Sequence, residues 1–101
     1  MYKLTEVIAR PRDGVTIEDL ELDTYVALLR DVPFIERLEF AVPVEVEGLP
    51  HPTHSAVIEG WFSRVDGVEG FTALPAAPEI DARATRLHQQ AGIERWFSQV
   101  V

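Results

Sequence analysis

The chain holds three histidines, and two of them, His51 and His54, fall together in the stretch HPTH. An imidazole titrates near neutral pH, so a pair at this spacing could share a metal ion or move a proton. A metal site needs at least a third ligand and groups that orient it. The nearest carboxylates in sequence, Glu45 and Glu47, stand across a connection rich in Pro and Gly. No metal is therefore expected. His51 and His54 remain as catalytic candidates at a pocket rim, with solvated loop residues as the plain alternative. His88 follows the inward-facing Leu87 and reads as a surface residue of a helix.

Tyr25 is the third catalytic candidate, a phenol on a helix whose apolar positions face inward. With Phe62, Phe97 and His54 it could line an apolar pocket, although core packing explains aromatic residues at such spacings equally well. Two glutamates sit among apolar neighbours. Glu6 shares a strand side with Tyr2, Leu4 and Ile8, and Glu59 shares one with Val57 and Trp61. A buried carboxylate without a partner has a raised pKa and can serve as a base near neutrality. Arg37, Arg64 and Arg95 are available as partners, however, and Glu59 is assigned to an interface with Val57, Trp61 and Trp96.

These residues belong to a chain of 101 residues, of a size for one domain spanning 1–101. Its composition, 47% hydrophobic and 26% charged, is that of an ordinary globular protein. No apolar run approaches the roughly 18 residues that would cross a bilayer, and no membrane association is expected. The first residues carry Glu6 and Arg10 where a secretion signal would be unbroken apolar sequence, so a cytoplasmic location is expected. The absence of cysteine excludes disulfides, thiolate metal sites and a cysteine nucleophile. A net charge of -8 repels a phosphate backbone, so nucleic acid is not an expected partner. No glycine-rich phosphate loop and no serine elbow is present, and no cofactor is expected.

The order of elements decides how the candidates are held. YKLTEVIA alternates as a strand and ends in the turn RPRDG. Thr16 and Asp19 have the spacing of a capping pair, predicting a helix that starts there and ends near Asp31, ahead of Pro33. From Phe34 to Val46 the residues alternate as one long strand, with Pro43 at an edge or bulge. HSAVIEGWFS predicts a third strand, and Asp66 with Glu69 a short helix breaking near Pro75. A longer helix starts near Pro78 and turns Ile80, Ala84, Leu87 and Ala91 inward, and IERWFSQVV predicts the last strand. Strand, helix, strand, strand, helix, strand is the order of a ferredoxin-like α+β domain with an antiparallel four-stranded sheet and its helices on one face. The other face of that sheet would be bare. Large apolar groups on both sides of the third and fourth strands predict that a second copy covers it, giving a homodimer.

YKLTEVIARPRDG, TIEDLELDTYVALL and IEGWFSRVDGVEGFTAL together resemble the EthD-like branch of the dimeric α+β barrel superfamily. The resemblance covers nearly the whole chain. It implies a homodimer with a pocket in each subunit for a small, largely apolar or aromatic compound, in catabolism or secondary metabolism, handled by acid/base chemistry without a bound cofactor. One departure matters: the family places Trp and His at the end of the first helix, and this chain reads TYVALLRDVPF there. A non-catalytic dimeric module that binds a ligand or a protein thus stays open beside the enzyme.

Overall fold

A computed structural model describes residues 1–63 and 77–101. In chain order these form strand β1 (Tyr2–Ala9), a 3-10 turn (Glu18–Leu20), helix α1 (Leu22–Arg30), β2 (Arg37–Ala41), β3 (His54–Phe62), helix α2 (Ala77–Gln90) and β4 (Ile93–Gln99). The short helix expected around Asp66 and Glu69 lies outside the described residues. The strands form one sheet in the order β2-β3-β1-β4, with every pairing antiparallel. This is the ferredoxin-like βαββαβ architecture, with both described helices on one sheet face.

Strand alternation decides which residues the helices cover. Leu4, Glu6 and Ile8 of β1 and Ala56, Ile58 and Phe62 of β3 are buried beneath them. They pack with Tyr25, Val26 and Leu29 of α1 and Ile80 and Leu87 of α2 in one core cluster. Each fully buried large apolar side chain contributes roughly 1.5–3 kcal/mol relative to exposure. The opposite face carries Lys3, Thr5 and Val7, with Val57, Glu59 and Trp61 beside them and Trp96 across from Thr5.

Two elements differ from expectation, each for a local reason. Thr16 and Asp19 do form the reciprocal capping pair: the Thr16 amide donates to Asp19 Oδ2 at 2.9 Å, and the Asp19 amide donates to Thr16 Oγ1 at 3.2 Å. That pair heads the 3-10 turn, because Glu21 then adopts a left-handed conformation (φ 50, ψ 45) and α1 starts only after it. A left-handed glutamate costs about 1–2 kcal/mol, and its carboxylate is met by Arg83 and Arg86 of α2. The long second strand shortens to Arg37–Ala41, whose last residue pairs with Val57. Beyond it the chain leaves the sheet at Pro43, which has no amide to donate, and Val42, Val44 and Val46 stand 59%, 77% and 51% exposed.

Candidate functional site

The register of the sheet places Glu6 of β1 directly opposite Arg95 of β4. Glu6 points under the helices and is fully buried. Above it, Tyr25 is carried in by the apolar stripe of α1, which also buries Leu22, Val26 and Leu29. The Tyr25 hydroxyl lies 2.7 Å from Glu6 Oε2 and 2.9 Å from Oε1, donating to the carboxylate. Arg95 Nη2 donates to the Tyr25 oxygen at 3.0 Å and to Glu6 Oε2 at 3.3 Å. Three elements thus meet in one hydrogen-bonded cluster, and its outermost member is Arg95, with 31% of its side chain exposed.

The electrostatics follow from depth. Burial, and then the neighbouring carboxylate, push the Tyr25 phenol far above its ordinary value of 10.0, so it stays protonated and acts as a donor. Burial works against the charge on Arg95, but Glu6 and Tyr25 outweigh it and hold the guanidinium above its ordinary value. The cluster is a charge-compensated pair closed by a phenol, which is the arrangement that makes a buried carboxylate tolerable.

Arg95 also lines an open groove of about 590 Å³ between α2 and β4, where Asp81, Ala84, Thr85, His88, Gln89 and Ile93 form the walls. A second hollow of about 380 Å³ lies at the end of the sheet, lined by residues that include Val7, His54, His88, Gly92, Ile93 and Glu94.

The residues singled out in the sequence separate into groups. Tyr25 is fully buried and its hydroxyl is committed to Glu6. Phe62 is also fully buried and belongs to the core, while Phe97 is 43% exposed; their ring centroids lie 6.4 Å apart. His54 opens β3 at the sheet end and lines the second hollow. His51 stays in the exposed connection before it, with Nδ1 3.3 Å from Glu45 Oε1. No cluster of metal ligands occurs among the described residues. Val57, Glu59, Trp61 and Trp96 share the uncovered sheet face, where Glu59 meets Lys3 at 3.0 Å and the Trp61 ring lies under the guanidinium of Arg37 at 4.6 Å. The sequence does not choose a partner for Glu6, and His88 is exposed on α2, as its place after Leu87 predicts. The partner of Glu6 depends on a pairing between residues 89 positions apart, which local patterns do not carry.

No family model and no curated protein sequence matches the chain. Likeness lies in the fold. An ethyl tert-butyl ether D (EthD) family protein from Bacillus halodurans aligns over 100% of this chain and 99% of its own, with a TM-score of 0.78 and 14% identity. A dimeric protein of unknown function and ferredoxin-like fold from Bacteroides fragilis aligns over 98% and 96%, with a TM-score of 0.66 and 15% identity. SnoaB, a cofactor-independent oxygenase from Streptomyces nogalater, aligns over 98% and 90%, with a TM-score of 0.66 and 13% identity. The chain therefore shares the fold of EthD-family and dimeric ferredoxin-like proteins, as the resemblance of its sequence implied. Among the described residues, no helix is long and apolar enough to cross a membrane.

Proposed function

We propose that the chain is a single-domain, cytoplasmic subunit of a homodimer that handles a small, largely apolar or aromatic compound in the groove between α2 and β4. The observation that carries this reading is Arg95, which lines the groove and at the same time touches both Glu6 and Tyr25. A guanidinium held by two buried partners keeps its place when a ligand arrives. An oxygen in the groove that gains negative charge during proton transfer would meet a preorganised cation. The walls supply apolar surface from Ala84 and Ile93. The uncovered face with Val57, Trp61 and Trp96 supports dimerisation, as does the dimeric description of the similar fold from Bacteroides fragilis. Activity without a bound cofactor is in keeping with SnoaB, a cofactor-independent oxygenase of like fold.

A non-catalytic ligand-binding module is the second reading. It is favoured by one observation: Tyr25 and Glu6 are both fully buried, so neither presents a reactive atom at the surface of this subunit. One experiment tests both. Purified protein is screened for thermal stabilisation by aromatic acids, lactones and phenols, and each stabilising compound is then followed for turnover by mass spectrometry. Stabilisation with conversion supports the enzyme, stabilisation without conversion supports the module, and no stabilisation by any class overturns both.

A further inference from the structure

A further hollow, of about 400 Å³, lies between the turn RPRDG and the connection from β2 to β3, and it shares no lining residue with the groove at Arg95. Its walls are set by contacts within the chain. Arg10 donates from Nε and Nη2 to the Pro52 carbonyl at 3.2 and 3.0 Å, which ties the connection to the end of β1. Beside it β3 bulges: Ile8 pairs with Ala56 but Ala9 with His54, and the extra residue, Ser55, donates its hydroxyl to the Ala9 carbonyl at 2.7 Å. Pro11, Pro43 and Pro52 stiffen the lining, each with a locked φ. Ile17 and Val42 complete it, 45% and 59% exposed, so apolar surface is left in water there.

Among the described residues that line this hollow, one is a cation, Arg10, and one an anion, Glu45; His54 is the remaining titratable group. The contact with Pro52 uses the Nε–H of Arg10 and one N–H of Nη2, which leaves the fork of Nη1 and the second Nη2 N–H for a carboxylate. Glu45 meets His51 through Oε1 alone, at 3.3 Å, which leaves Oε2 for a cation. The acids Glu18, Glu21 and Asp23 line a neighbouring hollow, and Ile17 and Val42 form a wall common to the two. From this we infer a second binding site, for a free α-amino acid with a branched aliphatic side chain. Its carboxylate lies on Arg10, its ammonium on Glu45 and its side chain against Ile17 and Val42. A ligand with one charge only would face a like charge, Glu45 or Arg10, without the matching contact. The volume is near the lower end of the roughly 300–1,000 Å³ usual for small-molecule sites, which suits two charges carried on one α-carbon.

The test follows the side-chain methyl signals of the full-length protein by NMR as L-leucine is added, with leucinamide, N-acetylleucine and glycine as controls that lack the carboxylate, the ammonium and the side chain. Leucine should move the Ile17 and Val42 signals with one saturation curve and leave Ile93, in the α2–β4 groove, in place. Each control should bind at least about tenfold more weakly, since each loses a charge-assisted hydrogen bond or the apolar contact. Glu45→Gln, on an exposed connection, should bring leucine down to the affinity of N-acetylleucine. Arg10→Gln also removes the clamp on Pro52, so leucinamide reports on the fold of the site: leucine should fall to the level of leucinamide while leucinamide itself keeps its affinity. If leucinamide weakens by the same factor, Arg10 acts on the backbone alone and the carboxylate assignment fails. Equal affinity for leucine and N-acetylleucine would overturn the role of Glu45. Movement of Ile93 without Ile17 and Val42 would place the amino acid in the α2–β4 groove and refute this site, and no movement at millimolar leucine would refute it outright while leaving the reading of that groove untouched.

Discussion

Tyr25 and Glu6 meet across the boundary between α1 and β1, the phenol donating to the carboxylate at 2.7 Å with both side chains fully buried. The contact ties the first helix to the sheet at a polar point inside an otherwise apolar cluster. Tyr25→Phe keeps the ring and removes the donor, leaving the fully buried Glu6 carboxylate to the longer contact with Arg95 at 3.3 Å. The expected loss is about 1–3 kcal/mol of unfolding free energy, measured as a lower urea midpoint at unchanged slope. A change under a few tenths of a kcal/mol would mean the bond contributes nothing net.

Alkaline pH should reveal the same contact. The Tyr25 phenol is raised above its ordinary value of 10.0, by burial first and by Glu6 second. The unfolded chain ionises this group near its ordinary value, so its contribution is complete below pH 10 and is lost as the pH climbs from there towards the folded value. Wild-type stability should fall above pH 10 by up to about 1.4 kcal/mol per pH unit more than that of Tyr25→Phe. Urea midpoints of the two proteins between pH 9 and 11 measure the difference.

On the other face, Trp61 lies under Arg37 at 4.6 Å and near Lys3 at 5.9 Å. Trp61→Glu would place a carboxylate between two cations, which suits a separate subunit and removes apolar area from a dimer. Sedimentation velocity at micromolar concentration should show a dimer for the wild type and a folded monomer for the variant. A wild-type monomer would refute the assignment of this face.

Glu59→Gln removes the ion pair with Lys3, whose two side chains are each 30% exposed. A half-solvated pair is worth little, so stability should change by less than about 1 kcal/mol. Ligand binding should not change, because the groove and Glu59 lie on opposite sides of the sheet. Lost turnover in an intact dimer would contradict that placement.

Gly92 follows α2 with φ +80, and its amide donates to the Leu87 carbonyl at 3.1 Å. An added Cβ would meet Ala9 Cβ and Arg12 Nη2 at 3.7 Å, an ordinary contact. The cost of Gly92→Ala is therefore conformational, about 1–2 kcal/mol, and should appear as a lower melting temperature with the fold retained in circular dichroism.

Much of this architecture can be read from alternation and turn residues. Leu4, Glu6 and Ile8 fall on one strand side, and Ile80, Leu87 and Ala91 on one helix side, because period alone decides which residues share a face. Period says nothing of where a strand loses its neighbour. Val42, Val44 and Val46 continue the pattern of β2 past the last residue that β3 pairs with, which is why the expected strand is too long. The Thr16 and Asp19 pair is visible in sequence, but the left-handed Glu21 beyond it is not, since glutamate rarely adopts that conformation. The cluster was half legible: Glu6 stood out as a carboxylate among apolar residues, while its choice of Arg95 over Arg37 or Arg64 rests on register. Likewise the spacing of His51 and His54 drew attention to neighbours in sequence, where the sheet end brings His54 towards His88.

The Glu6 and Arg95 contact closes a loop of 89 positions around a buried charge. Until β4 docks, β1 and α1 would have to hold that carboxylate away from water with only a phenol beside it, which is unfavourable on its own. The first strand and helix should therefore not consolidate ahead of the last strand, and the sheet should assemble in one cooperative event limited by a long-range closure. Folding should be single-exponential and slow for a domain of this length, in the millisecond-to-second range of chains dominated by non-local pairing. Replacing both charges together with an apolar pair should lift that requirement and let the amino-terminal half acquire protection from hydrogen exchange early.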